Sequence, residues 1–425
     1  MPSSGDPEAF VEGHLRHNLV ALGGDFALFL IGLSFASRAT ILPAFAEHLG
    51  APNVVIGAIP AVMTVGWLLP SLFAAGHTET LTRRLPFVLR YTVWERAPFL
   101  VLAGIAFFLA EAAPALSLGL LLVMLLVITG VGGTLMPAWM DIVGRAIPTT
   151  LRGRFFAVAS LLASLGGLLG SFGTAYILAA IRAPLGYGVC FLISAGFMGL
   201  SFLALTLTRE PPAVVTSPRV PLGEYLARIP SLLRRDRNLS WFLAADAFAI
   251  VGMMAGGFYT VYALRAYGAP EWQVGVFTTL LLSGQMAGNI VLGWLGDRAG
   301  HLRVLTIGIA ATMAANVAAL VAPSLAVFSV VFVLSGVQLA AMNVSGFNVL
   351  LEFAPGVSEA PTYVGLGNTL VAPVAFGAPL LAGLMADTLG FEWVFGVAAL
   401  FGLVGLSLLV TRVRDPRHQS ETVVE

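Results

Sequence analysis

The chain has 425 residues, 58% of them hydrophobic and 10% charged, with a mean hydropathy of +0.91 and no net charge. Soluble domains carry roughly 25% charged residues, so this composition cannot cover a water-facing surface and reads as a polytopic membrane protein. Neutral charge gives no signal for a nucleic-acid partner, and Cys190, the single cysteine, excludes an intrachain disulfide or a cysteine-based metal site.

Residues 1–17 are polar and lack an apolar core with a cleavage site, so they read as a tail rather than a signal peptide. Twelve apolar segments follow, at about 18–46, 52–76, 85–110, 115–145, 151–181, 185–208, 238–266, 271–296, 301–321, 324–352, 361–387 and 391–412. Each is about 20 residues or longer, enough to cross a hydrocarbon core. They are too long, and alternate too little, to be strands. The expected fold is all-α: a six-helix bundle over 18–208, a linker at 209–237, a second six-helix bundle over 238–412, and a tail at 413–425. In the linker, Leu222 to Leu233 reads either as an interfacial helix or as an irregular basic stretch.

Every basic residue is Arg. An even number of spans puts both termini on one side. If that side is cytoplasmic, eighteen arginines lie at or near it, only Arg38, Arg182 and Arg265 lie outside, and Arg96 is within a span. This asymmetry obeys the positive-inside rule and places the chain in a cytoplasmic membrane with both termini inside.

The loop after the eighth segment, 293–303, reads Gly-Trp-Leu-Gly-Asp-Arg-Ala-Gly-His-Leu-Arg, and a worn copy lies 218 residues earlier at Ala75 to Leu85. The same offset relates Gly50-Ala51-Pro52 to Gly268-Ala269-Pro270, Gly57 to Gly275, Gly66 to Gly284 and Glu79 to Asp297. A hydrophobic chain that repeats once at half its length points to a transporter built of two homologous halves. Gly300 permits the tight turn, while Arg298 and Arg303 hold the loop at the basic face.

Six plus six helices with this loop resemble the major facilitator superfamily, whose motif runs Gly-x-Leu-x-Asp-Arg-x-Gly. Gly293, Leu295, Asp297, Arg298 and Gly300 match it, and Arg303 supplies the basic tail. In the first copy Ala75, Glu79 and Thr82 replace Gly, Asp and Gly, while Arg83 and Arg84 keep the charge. Pro148 with Arg152-Gly153-Arg154 before the fifth helix is also similar to this family. The resemblance implies two pseudo-symmetric bundles that rock about a central site, with Asp297 latching against the fifth helix near Arg152 and Arg154, and Glu79 against the eleventh. Glu359 beside that eleventh helix opposes the second latch. A role confined to topology and turn geometry is the other reading of these loops.

An ionisable group at mid-span costs at least about 2.5–3.5 kcal/mol on insertion scales, so each needs a reason. Asn18-Leu19 precedes Asp25 much as Asn238-Leu239 precedes Asp246, which puts both acids about 10 Å into the first helix of their half. Both are candidates for carrying a proton, or for a structural bond to a helix end. Glu95 and Arg96, adjacent in the third helix, point about 100° apart, so each is expected to reach a different neighbour; depth makes Asp25 a partner for Arg96. Structural ion pair and coupling element are both open for them. Asp141 beside Arg145 reads as a rim or gate residue.

Two signatures of the resembled family's drug antiporters are missing: an Arg around Thr129 to Trp139 of the fourth helix and a Gly-Pro in the fifth. By the resemblance, the first, fourth, seventh and tenth helices line the cavity, where Tyr259, Tyr262, Gln338 and Asn343 suit a neutral or weakly charged organic solute. Nothing resembles an enzyme or a nucleotide-binding loop, and the six histidines fall in tails or loops, so no cofactor or metal is expected. The expectation is a monomeric secondary transporter in the lipid bilayer, working by alternating access on a small-molecule substrate with H+ as the coupling ion; export of amphipathic compounds and solute sensing are the alternatives.

Overall fold

The computed structural model describes residues 7–78, 81–211, 230–354 and 360–418, and these are helical with short connections. The first half holds α1 (Pro7–Ser34), α2 (Ile41–His48), α3 (Asn53–Thr78), α4 (Leu85–Arg96), α5 (Pro98–Gly104), a π-helical turn at Ile105–Leu109, α6 (Pro114–Ala146), α7 (Thr149–Ala180) and α8 (Leu185–Thr206). The second half holds α9 (Arg237–Gly252), α10 (Phe258–Ala266), α11 (Gln273–Ala299), α12 (His301–Val321), α13 (Leu325–Phe328), α14 (Val330–Phe353), α15 (Ala360–Thr388) and α16 (Phe391–Arg412).

Among the described residues, eleven helices are long and apolar enough to cross a membrane. The twelfth expected span, 238–266, is present but broken between α9 and α10 at Met253 to Gly257, where Gly256-Gly257 weakens the helix. The first span is broken at the corresponding place, between α1 and α2. α1 also starts at Pro7, so the expected tail of 1–17 is helical over much of its length. The expected linker helix falls largely on 212–229, outside the described residues.

Packing divides the chain into two units. One comprises Met1–Ser37, His48–Gly50 and Val62–Arg219; the other comprises Arg38–Glu47, Ala51–Ala61 and Val220–Glu425. The parts of the first and second spans beyond the break therefore belong with the second half. In the first unit α1 packs on α7 and α8, and α4 on α6 and α8. In the second, α11 packs on α14, α12 on α14 and α16, and α9 on α16. Between membrane helices close packing replaces the hydrophobic drive, and small residues permit it. Gly66 shows the requirement: a Cβ there would lie 2.0 Å from Thr129 Oγ1 on α6.

The apolar core at one end of each unit is built from corresponding helices. Leu22, Val88, Ala138, Ile142, Phe155 and Leu205 form it in the first; Leu239, Phe242, Leu305, Val349, Phe353 and Leu409 form it in the second. That end of each unit is also where the hydrogen bonds repeat. Asn18 Nδ2 donates to the carbonyl of Arg209 (3.0 Å) and its Oδ1 accepts from Arg209 N (2.9 Å). Asn238 makes the same reciprocal pair with Arg414, at 2.8 Å each way. The start of the first span is thereby bonded to the residues that follow the last span of its half.

Candidate functional site

The third span supplies the charges because its helix is interrupted beside them. α4 stops at Arg96, Pro98 opens α5 and a π turn follows, so Glu95 and Arg96 sit at the end of a helical segment. Both are buried, at 9% and 8% exposure, as is Asp25 on α1 at 3%. Arg96 Nη2 donates to Asp25 Oδ1 at 2.8 Å, as depth alone predicted, and Nη1 donates to Glu95 Oε2 at 3.2 Å. The second bond corrects the expectation that these neighbours do not pair. The guanidinium fork is wide enough to hold a carboxylate on each nitrogen once the side chain folds back along the helix.

The remaining partners come from two other helices and from α4 itself. Ser201 on α8 donates to Asp25 Oδ1 (2.6 Å), Trp139 Nε1 on α6 donates to Asp25 Oδ2 (2.9 Å), and Thr92, one turn before, donates to Glu95 Oε2 (3.0 Å). Asp25 therefore has both oxygens occupied. The Arg96 guanidinium also lies 5.1 Å from the Phe29 ring centroid, a cation–π distance. All of these except Ser201 border a cavity of about 230 Å³ inside the first unit, walled otherwise by aromatic and aliphatic side chains such as Phe26, Trp67 and Leu135. Nothing in the sequence marked Trp139 or Ser201, since each meets the cluster only through tertiary packing.

Asp246 is placed differently. It borders a cavity of about 20 Å³ in the second unit, between Phe242, Leu305, Ile309, Thr312, Gln338 and Leu409. No hydrogen bond or ion pair of its side chain is found among the described residues. That volume is about what one water needs. Gln338, expected at a substrate cavity, borders this small one and donates from Nε2 to Met253 Sδ at 3.4 Å. Asn343 is exposed. Tyr259 donates to Asn316 Oδ1 (2.8 Å) and packs against Phe328, Phe332 and Phe395, while Tyr262 packs on Tyr267, Phe328 and Phe391. Both tyrosines thus belong to an aromatic cluster of the second unit and line neither cavity.

The loop residues divide between the units. In the first, Arg84 Nε meets Asp141 at 2.9 Å and Arg145 meets the same oxygen at 2.8 Å. Arg152 donates to the carbonyls of Ile147 and Gly144, satisfying the end of α6. Arg83 and Arg154 are exposed, and Glu79 lies outside the described residues. In the second, Gly300 takes φ +93° and turns α11 into α12, Gly293 has open space around it, and Arg298 lies 4.4 Å above the Trp294 ring. Asp297 and Arg303 are exposed.

Five further acids were not singled out by sequence. Glu210 accepts from Arg84 N (2.7 Å) and Leu85 N (3.0 Å), capping α4 with a carboxylate at its positive end. In the second half Arg417 donates to Glu352 (2.6 Å) and to the Gly296 carbonyl (3.1 Å), while Asp415 accepts from Arg417 N. The signal was available: Arg209-Glu210-Pro211 and Arg414-Asp415-Pro416 share an Arg-acid-Pro pattern at the end of each half. Asp387 accepts from Asn53 N (2.9 Å) and Val54 N (3.0 Å), and Arg265 pairs with Glu47 and donates to Asn53 Oδ1 (3.1 Å).

Residues 247–425 match the sequence family described as the Major Facilitator Superfamily. The fold agrees across nearly the whole chain. The D-xylose-proton symporter superimposes with a TM-score of 0.67 at 13% identity, covering 96% of this chain and 98% of that one. The family match itself covers about two fifths of the chain. A structure of the nucleoside transporter NupG gives a TM-score of 0.63 at 12% identity over 92% of this chain and 98% of that one. A bacterial homologue of the human lysosomal transporter Spinster, inward-facing and unoccupied, gives 0.67 at 15% identity over 96% and 97%. At these identities the likeness is one of fold.

Curated relatives match over shorter stretches. The tetracenomycin C resistance and export protein of Streptomyces glaucescens is 30% identical over 131 residues, which is 31% of this chain and 24% of that protein. Solute carrier family 22 member 6 of Rattus norvegicus is 31% identical over 109 residues, 24% of this chain and 19% of that one. The matches thus span about a quarter or less of those relatives' length.

Proposed function

We propose that the chain is a proton-coupled secondary transporter of a small organic solute, working as a monomer by alternating access in a cytoplasmic membrane with both termini inside. The observation that carries this reading is the buried Asp25–Arg96–Glu95 network beside a cavity within an apolar bundle. Three ionised side chains held there are costly, and a scaffold role alone does not require two acids for one base. An excess carboxylate in such a place can take up and release a proton as the cavity changes its access to the two sides. The superfamily fold supports the transport part, and the fold likeness to a proton symporter is compatible with the coupling part. Asp246, unpartnered in the second unit, is the other candidate for coupling.

The test uses proteoliposomes with an imposed pH gradient and a substrate screen read by an internal pH dye. Asp25→Asn or Asp246→Asn is expected to abolish gradient-driven movement while solute exchange stays measurable; unchanged gradient dependence in both variants sinks the coupling. Direction follows from the same assay, since export acidifies or alkalises the lumen with the opposite sign to import. Export is favoured by one observation, the sequence match to a resistance and export protein. The exposed Asp297 is available for a latch that makes and breaks during the cycle. Asp297→Ala is then expected to shift cysteine-accessibility labelling towards the inward-open pattern, and an unshifted pattern would remove the latch from the mechanism.

A further inference from the structure

The charges around the first-unit cavity do not cancel. Asp25, Glu95 and Arg96 are the ionisable residues bordering it, so two carboxylates face one guanidinium and one negative charge is left over. An uncompensated charge in a low-dielectric site has to be neutralised by something. Asp25 is not where that happens, because Arg96, Ser201 and Trp139 already occupy both of its oxygens. In Glu95 the donors Thr92 and Arg96 both go to Oε2. Oε1 accepts no hydrogen bond among the described residues. It points across to α6, where a Cβ on Gly132 would lie 2.6 Å away.

The walls decide what kind of group suits that oxygen. Phe26, Phe29, Trp67 and Trp139 border the same cavity, with Phe26 and Trp139 stacked at 5.8 Å between centroids. Aromatic faces attract cations, and Phe29 already sits beside the Arg96 guanidinium. An anion is poorly served here, because Arg96 Nη2 already donates to Asp25 and Ser201, Nη1 donates to Glu95, and its Nε is enclosed. The volume of about 230 Å³ is just below the roughly 300–1,000 Å³ of drug-sized pockets, which restricts the occupant to a compact molecule.

We propose that this cavity binds one compact organic monocation, its ammonium group seated against Oε1 of Glu95 in exchange for one proton. The leftover charge is single, so cation and proton are alternative occupants of one seat. The charged groups facing it are Asp25 from α1 and Arg96 from its own α4; α3, α6 and α8 present only uncharged side chains to the cavity. Gly132 belongs to the site through its missing side chain, since a methyl group there would press on both Glu95 and the Trp67 ring at 3.0 Å. This inference rests on the transporter reading and names the class of solute for it.

The test titrates the purified full-length chain in detergent, lightly buffered, with benzyltrimethylammonium and separately with phenylmethanesulfonate, a probe of similar size and opposite charge. Calorimetry reads binding and an indicator dye reads released protons. Expected are saturable binding of the ammonium alone, release of a proton as it binds, and an affinity that weakens up to about tenfold per unit as pH falls through the range where the seat is protonated. Glu95→Gln is expected to remove both binding and proton release. Gly132→Ala keeps all the charges and is expected to weaken binding at least about tenfold. Size-exclusion and thermal-unfolding profiles keep either loss from being mistaken for misfolding. Equal binding of the sulfonate, ammonium binding without proton release, or an unchanged Glu95→Gln variant would each overturn the proposal. The two readings fail separately: ammonium binding with no flux in proteoliposomes sinks transport alone, and pH-driven flux of another solute that benzyltrimethylammonium does not inhibit sinks the cation alone.

Discussion

Asp25 and Asp246 occupy corresponding places in the two halves, seven and eight residues beyond an Asn-Leu pair that opens the first span. At that opening the halves agree closely: Asn18 clamps Arg209 as Asn238 clamps Arg414. Two turns deeper they part. Asp25 is held by a guanidinium, an indole and a hydroxyl, whereas Asp246 has no hydrogen-bond or ion-pair partner among the described residues and a water-sized cavity beside it. The lesson is that the duplicated scaffold persists where it closes each half, and the chemistry differs where a solute or proton would be handled. An acid with three donors and an acid with none are different devices despite equal depth.

The largest effect expected from breaking this contrast is at Arg96. Arg96→Met strands two buried carboxylates and is expected to cost about 3–5 kcal/mol in detergent unfolding. A cost as small as that of a surface substitution would mean that the network is not what holds Asp25. Trp139→Phe keeps the ring and removes one donor to an ionised acceptor, for which about 1.5–3 kcal/mol is expected in the same assay. Next come Asn18→Ala and Asn238→Ala. Each removes a reciprocal pair of bonds, so each is expected to cost about 1–2 kcal/mol, and by a similar amount. A clear inequality between them would end the claim that the closures are equivalent. Smallest is Asp246→Asn, expected to leave stability unchanged or to raise it by up to about 1 kcal/mol, because an amide is cheaper to bury than an unpaired carboxylate. A loss there would reveal a partner for Asp246 and erase the contrast.

The sequence carried the large-scale features well, because length and hydropathy dictate spans and a repeat can be aligned without coordinates. It also paired Arg96 with Asp25, since depth in a helix is counted at a fixed rise per residue. It failed on Glu95, where an angular rule for neighbouring helix positions ignored how far an arginine can fold back. It missed the breaks in the first and seventh spans, which look continuous to a hydropathy count; Gly256-Gly257 hinted at one and nothing comparable hinted at the other. Tyr259 illustrates a subtler limit. A tyrosine on a helix face signals aromatic plus hydroxyl, yet whether it greets a solute or fills a core depends on Asn316 and Phe328 from distant segments.

The paired asparagines have a consequence for how the polypeptide is strung. Each half is a closed circuit, its beginning fastened to its end. The same fastening would let the ends of either half be joined and new ones opened elsewhere.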